Sequence, residues 1–254
     1  LGAAVVTLLS IDYIKKYGAY FGEYYIILQT SVLGMMLMAA AKDLFVIFLG
    51  LEIMSVSFYI LAGMNRKKAG ANEASLKYFL LGAFATGFIV YGIALIYGSA
   101  HTTSIDFITS NFAELSKNLI FISGVLLFLI GFSFKIAAFP FHMWVPDVYQ
   151  GAPTSVTLMI GGAPKLAAFA IVIRLLVEGM LPLAFDWQQM LMILAVGSLL
   201  VGNLAAIAQT NLKRMLAFST ISQMGFVLIG LLSGVVNGNT FSTTSAYGAS
   251  MFYV

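Results

Sequence analysis

Four ionisable side chains stand in runs that otherwise read as membrane-spanning. Glu52 is near the middle of FVIFLGLEIMSVSFYILAG, Lys135 lies in FLIGFSFKIAAFPFH, Lys165 is about midway along the span holding MIGGAPKLAAFAIVI, and Lys77 begins ASLKYFLLGAF. A Lys or Asp at the centre of a spanning helix costs about 2.5–3.5 kcal/mol on the insertion scale, so such residues face the bundle interior and usually serve a function. A lysine held in a low dielectric gives up its proton more readily, and a nearby carboxylate reverses this. A Glu–Lys pair that opens and closes as one helix moves therefore meets the physical requirement for a proton relay. The competing reading is a set of ion pairs that locks helices together. Three lysines against one glutamate cannot be neutralised by simple pairing. Lys77 is the weakest of the set, because Glu73 four residues earlier, or snorkelling to the interface, accounts for it.

Prolines accompany both central lysines. Pro140 follows Lys135 by five residues and Pro146 comes next in PFHMWVPDVYQGAP, while Pro164 directly precedes Lys165. Proline removes a helical hydrogen bond and clashes with the preceding turn. At membrane depth such a break is tolerated only where protein or a wet cavity satisfies the freed backbone groups. A lysine beside a broken helix is a pattern of ion and proton transporters; a purely structural kink is the alternative. His142, between Pro140 and Pro146, has an ordinary pKa of about 6.5 that suits a proton shuttle, and a structural histidine fits equally well. His101 sits among Thr and Ser in a polar loop and reads as solvated. The two histidines lie far apart without an HExxH-type spacing, so no metal site is expected. The chain has 0 Cys, which excludes thiolate metal sites, iron–sulfur ligation and disulfides. There is no P-loop, dinucleotide fingerprint, Ser/His/Asp triad or haem motif.

The elements that must position these residues are helices in a bilayer. Of 254 residues 61% are hydrophobic and only 9% charged, with a mean hydropathy of +0.97; a soluble domain carries about 25% charged residues. The net charge of +3 is too small and too scattered for a nucleic-acid footprint. Stretches long enough to cross, about 20 apolar residues, predict an all-α polytopic bundle in a single transmembrane domain over 1–254, with about eight to nine spans. These are Leu1–Ile11, Tyr24–Ala41, Leu44–Ala62, Ala74–Tyr97, Leu119–Phe139, Thr154–Leu176, Met190–Ala208, Leu212–Leu232 and a start at Ser245. Both ends fall inside apolar runs, so the chain reads as an internal fragment of a longer protein. The stretch 98–117 reads as an irregular polar connection outside the bilayer. Alternating spans put Lys15, Lys16, Arg66, Lys67, Lys68, Lys213 and Arg214 on one side, which the positive-inside rule makes cytoplasmic. Lys42, Asp43, Asp106, Glu114, Lys117 and Asp186 fall on the other. Lys213 and Arg214 read as interface anchors, Gly161 and Gly162 as close-packing glycines. Asp147 and Tyr149 read as caps or partner contacts.

The run FKIAAFPFHMWVPDVYQGAP, with LEIMSVSFYILAG upstream and GNLAAIAQTNLKRMLAFSTISQMG downstream, closely resembles the subunit N family of bacterial NADH–quinone oxidoreductase (respiratory complex I), one of the antiporter-like membrane proteins. Relatives in sodium/proton antiporters typically read LPDAH where this chain has Val145-Pro146-Asp147-Val148-Tyr149. The resemblance implies an antiporter-like inverted repeat with a discontinuous helix near Pro140. It also implies a proton-translocating subunit in the bacterial inner membrane, working beside other membrane subunits, including further antiporter-like ones. NADH, FMN, iron–sulfur clusters and quinone would belong to those partners, with none in this chain. The family's proton-path residues fall on Glu52, Lys77, Lys135, His142 and Lys165. Where the family has Ser or Ala before the last lysine, this chain has Pro164. A sodium/proton antiporter subunit and a structural membrane scaffold are the alternative functions.

Overall fold

The computed structural model describes residues 2–16, 22–179, 184–234 and 243–253. Leu1, Val254 and the side chains of Lys16 and Asp186, all invoked above, lie outside the described residues. Among the described residues the chain is helical without a named strand. The long elements are α1 (Gly2–Lys16), α2 (Gly22–Ala40), α3 (Leu44–Ala62) and α4 (Ala69–Ala100). After α5 (Ile105–Ser110) and α6 (Phe112–Leu115) come α7 (Leu119–Lys135), α8 (Trp144–Gly151), α9 (Thr154–Gly161) and α10 (Ala163–Ile173). The chain closes with α11 (Ala184–Ile207), α12 (Leu212–Leu232) and α13 (Thr243–Tyr253). Among the described residues six segments are long and apolar enough to cross a membrane: Gly22–Ala40, Leu44–Ala62, Ala69–Ala100, Thr154–Val177, Trp187–Ile207 and Leu212–Leu232. The apolar helix α7, with 17 residues, accompanies them.

The starts of α3 and α12 show why these helices begin where they do. Asp43 accepts hydrogen bonds from the N–H groups of Phe45 and Val46, and Asn211 accepts from those of Lys213 and Arg214, occupying donors that a helix start leaves free. Helix α4 is longer than its apolar run, beginning at Ala69 rather than Ala74. Its 32 residues reach about 48 Å, well beyond the about 30 Å hydrocarbon core. Its first turns, with Glu73 and Lys77, therefore have room to stand outside the core. The stretch 98–117 differs from the expected irregular loop. His101 ends α4 with φ 55°, and α5 and α6 then fold over the core through Ile105 and Phe112.

Three helix pairs form the body of the bundle: α2 with α3, α4 with α7, and α11 with α12. In lipid no hydrophobic drive holds apolar helices together, so small residues that let backbones touch become decisive. A methyl group at Gly92 of α4 would lie 2.7 Å from the Gly124 carbonyl, and one at Gly124 of α7 would lie 2.8 Å from the Gly92 carbonyl. Gly34 and Gly50 repeat this reciprocal contact between α2 and α3 at 2.7 and 2.8 Å. These contacts fix the helices that carry Glu52 and Lys135.

Two spans are broken. Helix α7 stops at Lys135, the chain passes through Ala137 in the left-handed region (φ 62°) and a cis Phe139–Pro140 bond, and α8 resumes at Trp144. The freed backbone groups are satisfied by protein. The Trp144 indole donates to the Phe134 carbonyl (3.0 Å), the Phe139 N–H donates to the Ser198 hydroxyl on α11 (2.9 Å), and Ala138 N–H returns to the Ser133 carbonyl (3.2 Å). The second break divides the Thr154–Leu176 span at Gly162, where α9 ends and α10 starts with Pro164 in its first turn. Gly162 is thus a helix break rather than a packing glycine; the nearest atom that an added Cβ there would meet is the Leu158 carbonyl oxygen, at 3.8 Å. Beyond Ile173 the helix widens into a π-helical turn at Arg174–Gly179.

Replacing Gly92 by Leu should wedge α4 from α7 and cost about 2 kcal/mol or more, read as a lower unfolding midpoint of the full-length protein in detergent. Gly87→Leu, at a position where an added Cβ meets nothing within 4 Å, should leave the midpoint unchanged.

Candidate functional site

Lys135 is the last residue of α7 and is 7% exposed. Its place at a helix C-terminus suits a cation, because the last carbonyls carry a partial negative charge. The ammonium donates to the Ser55 hydroxyl (2.8 Å) and to the Tyr59 hydroxyl (3.4 Å). Ser55 in turn donates to the Leu51 carbonyl (2.6 Å), so its lone pairs are left for the lysine. Both hydroxyls sit on α3, on the face that also carries Glu52: positions 52, 55 and 59 follow the helical repeat. Glu52 accepts a hydrogen bond from Thr86 of α4 at 2.7 Å. Glu52 and Lys135 lie close enough for their charges to interact, but the lysine's hydrogen bonds go to Ser55 and Tyr59. The expected Glu–Lys pair stands open here, with the Ser55 hydroxyl next to the ammonium.

Tyr59 is held by what α4 leaves out. An added Cβ at Gly82 would run into the Tyr59 hydroxyl, so only glycine admits the phenol at this point. Tyr78, Gly82 and Thr86 are spaced by four on α4 and present one face to α3. Tyr78 meets Tyr59 edge to face at 4.8 Å and stacks on Trp144 at 4.5 Å. This aromatic column runs from the α3–α7 contact to α8.

Lys165 is 3% exposed and stands in the first turn of α10, at the positive end of its helix. Its ammonium donates to the Tyr149 hydroxyl at 2.9 Å and lies 5.5 Å from the centre of that ring. Tyr149, on α8, is 4% exposed. It neither caps a turn nor reaches outward, as the sequence reading allowed; it is the hydrogen-bond partner of the second buried lysine. The two lysines thus sit on hydroxyl groups at two helix breaks, Lys135 at a helix end that stabilises its charge and Lys165 at one that does not.

The remaining candidates separate from this pair. Lys77 binds Glu73 (2.6 Å) and Asp147 (2.7 Å) with its side chain 42% exposed, so the i,i+4 pair read from sequence is present and a second carboxylate joins it. Asp147 is shared with Arg214, which also donates to Gln150 (3.1 Å). Lys213 donates to the Ala152 carbonyl (2.9 Å). Lys213 and Arg214 therefore tie α12 to the α8 end rather than only anchoring the interface. Burial raises the Asp147 carboxyl, but hydrogen bonds from Lys77 and Arg214 more than offset this and hold it below the usual carboxylate range. His142 lies in the break, stacked on Phe139 at 5.7 Å, with its Nδ1 buried and without a hydrogen-bond partner. His101 is exposed. Among the described residues no group of three or more His, Cys, Asp or Glu could hold a metal ion.

The sequence reading missed Ser55, Tyr59, Thr86 and Gly82. The signal was available in the helical repeat: residues three and seven after Glu52, and every fourth residue after Lys77's neighbour Tyr78.

Residues 41–253 match the family described as NADH:quinone oxidoreductase/Mrp antiporter, TM. A relative named NADH-quinone oxidoreductase subunit N, from Polaromonas naphthalenivorans, is 56% identical over 233 residues, covering 91% of this chain and 47% of the relative. Respiratory complex I from Thermus thermophilus contains a chain 35% identical, with a TM-score of 0.71, covering 90% of this chain and 49% of that one. The archaeal membrane-bound sulfane sulfur reductase contains one 28% identical, with a TM-score of 0.83, covering 100% of this chain and 50% of that one. The chain spans about half the length of the curated relatives it matches. Its broken, lysine-bearing helix bundle and these matches together make it a member of the NADH:quinone oxidoreductase/Mrp antiporter transmembrane family.

Proposed function

We propose that this chain is part of a proton-translocating membrane subunit of NADH–quinone oxidoreductase, with Glu52, Lys135 and Lys165 as the groups that carry the proton. The observation that carries this reading is the burial of two ammonium groups at two helix breaks, each resting on neutral hydroxyls rather than on a carboxylate. A structural lock would close Glu52 onto Lys135. Here the carboxylate is engaged by Thr86 and the lysine by Ser55 and Tyr59, an arrangement that a small shift of α3 against α7 converts into the paired one. Closing the pair favours the protonated lysine; opening it releases the proton.

From Lys135 the path runs toward α8 and α10. Lys165 donates to Tyr149, whose own hydroxyl proton is then free to pass on, so a proton arriving at Tyr149 is exchanged rather than stored. His142, with an unpartnered buried nitrogen beside the break, is a subsidiary acceptor. Lys77 stays with the ion network at the end of the bundle. The driving energy and the redox chemistry come from partner subunits, which would hold NADH, FMN, iron–sulfur clusters and quinone. Names such as NADH-quinone oxidoreductase subunit N among the relatives favour this setting. Other membrane subunits, including further antiporter-like ones, would pack against the exposed apolar faces. By the positive-inside rule the end bearing Lys15, Arg66 and Lys213 faces the cytoplasm of a bacterial inner membrane.

In the full-length protein within its complex, Lys135→Ala or Glu52→Ala should lower proton pumping and coupled quinone reduction about ten-fold or more, the scale of a lost proton-transfer group. Normal pumping by both variants in an assembled complex would remove these residues from the path. Tyr149→Phe keeps the ring and deletes the hydroxyl that Lys165 bonds. It should leave assembly intact and slow pumping about ten-fold, the worth of a hydrogen bond to a charged group; a rate equal to the parent would show that Tyr149 only packs.

A further inference from the structure

The bundle end that carries the basic loops contains a largely polar cavity of about 470 Å³. Its wall includes Lys68, Lys213 and Arg214, against Glu73 and Asp147. The two carboxylates are already engaged: Lys77 bonds both, and Arg214 bonds Asp147. Lys213 is different. An ammonium offers three donors, and among the described residues Lys213 has one neutral acceptor, the Ala152 carbonyl. Lys68 stands near enough for the two positive charges to oppose each other. Counting Lys77 with the lining residues gives four cations against two carboxylates, a formal excess of +2. Like charges gathered on the wall of a polar cleft concentrate counter-ions there.

We infer that this cavity binds an anionic phosphate group, held by Lys213 with Arg214 and Lys68 around it. The cavity has the size of a small-ligand site. It also stands where a lipid headgroup would meet the bundle, since α4 extends past its apolar run here, and basic pockets between spanning helices suit phosphate headgroups. A choline-bearing headgroup fits poorly, because its ammonium would add to the existing positive excess. A bound phosphate would complete the donors of Lys213 and join α4, α8 and α12 at one point. This site is separate from the proton path through Lys135 and Lys165.

The test uses the full-length protein in its assembled membrane complex, delipidated and placed in phosphatidylcholine nanodiscs. A phosphatidylglycerol probe with a photoreactive headgroup is added, and cross-linked peptides are mapped by mass spectrometry. Cross-links should fall within residues 65–74, 147–154 and 210–214. They should drop roughly ten-fold in Lys213→Gln, the worth of a charge-assisted hydrogen bond, and return in Lys213→Arg. Suppression by millimolar inorganic phosphate would identify a free phosphate as the occupant, and persistence would identify the lipid headgroup. Equal labelling of the parent and Lys213→Gln, or equal labelling by a photoreactive phosphatidylcholine, would overturn the assignment.

Discussion

An ammonium group inside a bilayer and a broken backbone inside a bilayer are each costly alone, and this chain brings the two together. A freed carbonyl or a helix end needs a polar partner where no water reaches, and a buried lysine needs acceptors. At the first break, α7 ends on Lys135, and the partial negative charge of that end lies beside the ammonium. The other freed groups turn to protein: the Trp144 indole takes the Phe134 carbonyl, and the Ser198 hydroxyl takes the Phe139 N–H. At the second break, Lys165 stands at the opposite kind of helix end and relies on a single phenol. The rest of the bundle is arranged around these two solutions.

Rigid and yielding parts are correspondingly divided. Backbone contacts at Gly34–Gly50 and Gly92–Gly124 pack α2 on α3 and α4 on α7 with no space for a side chain between them. The segments between Lys135 and Trp144 and around Gly162 lack continuous helical hydrogen bonding. A small motion would therefore be taken up at the breaks, where the lysines are. The open state of the Glu52–Lys135 pair depends on the same division, because Gly82 sets where the Tyr59 hydroxyl can sit.

Much of this was legible in the residues. The spans Leu44–Ala62 and Leu212–Leu232 coincide with α3 and α12 to the residue, because Asp43 and Asn211 mark their starts chemically as well as by hydropathy. The break near Pro140 followed from proline and a buried lysine in one run. Helix α4 outran its prediction because apolar content ends where the bilayer ends, whereas a helix continues while its hydrogen bonds do. Pro164 reads from the sequence as a weakened ladder beside Lys165, whereas the helix is interrupted at Gly162: a proline fits the first turn of a new helix, and it is the residue before that turn that leaves the ladder. Tyr149 was misread because burial is not visible in a run such as VPDVYQ, whose polar residues divide between a cavity wall (Asp147, Gln150) and the core (Tyr149). The neutral hydroxyl partners of the lysines escaped notice for a related reason. Serine and tyrosine are unremarkable in a spanning helix until a charge from another helix is placed against them.

In the proposed function Lys135 changes its protonation rather than simply holding a charge. Lys135→Arg separates the two most directly, because a guanidinium keeps the charge and the donors but does not give up its proton. In the full-length protein within its complex, this variant should assemble normally with proton translocation lost. Translocation at the parent rate by the assembled Arg variant would contradict it and leave Lys135 a structural cation.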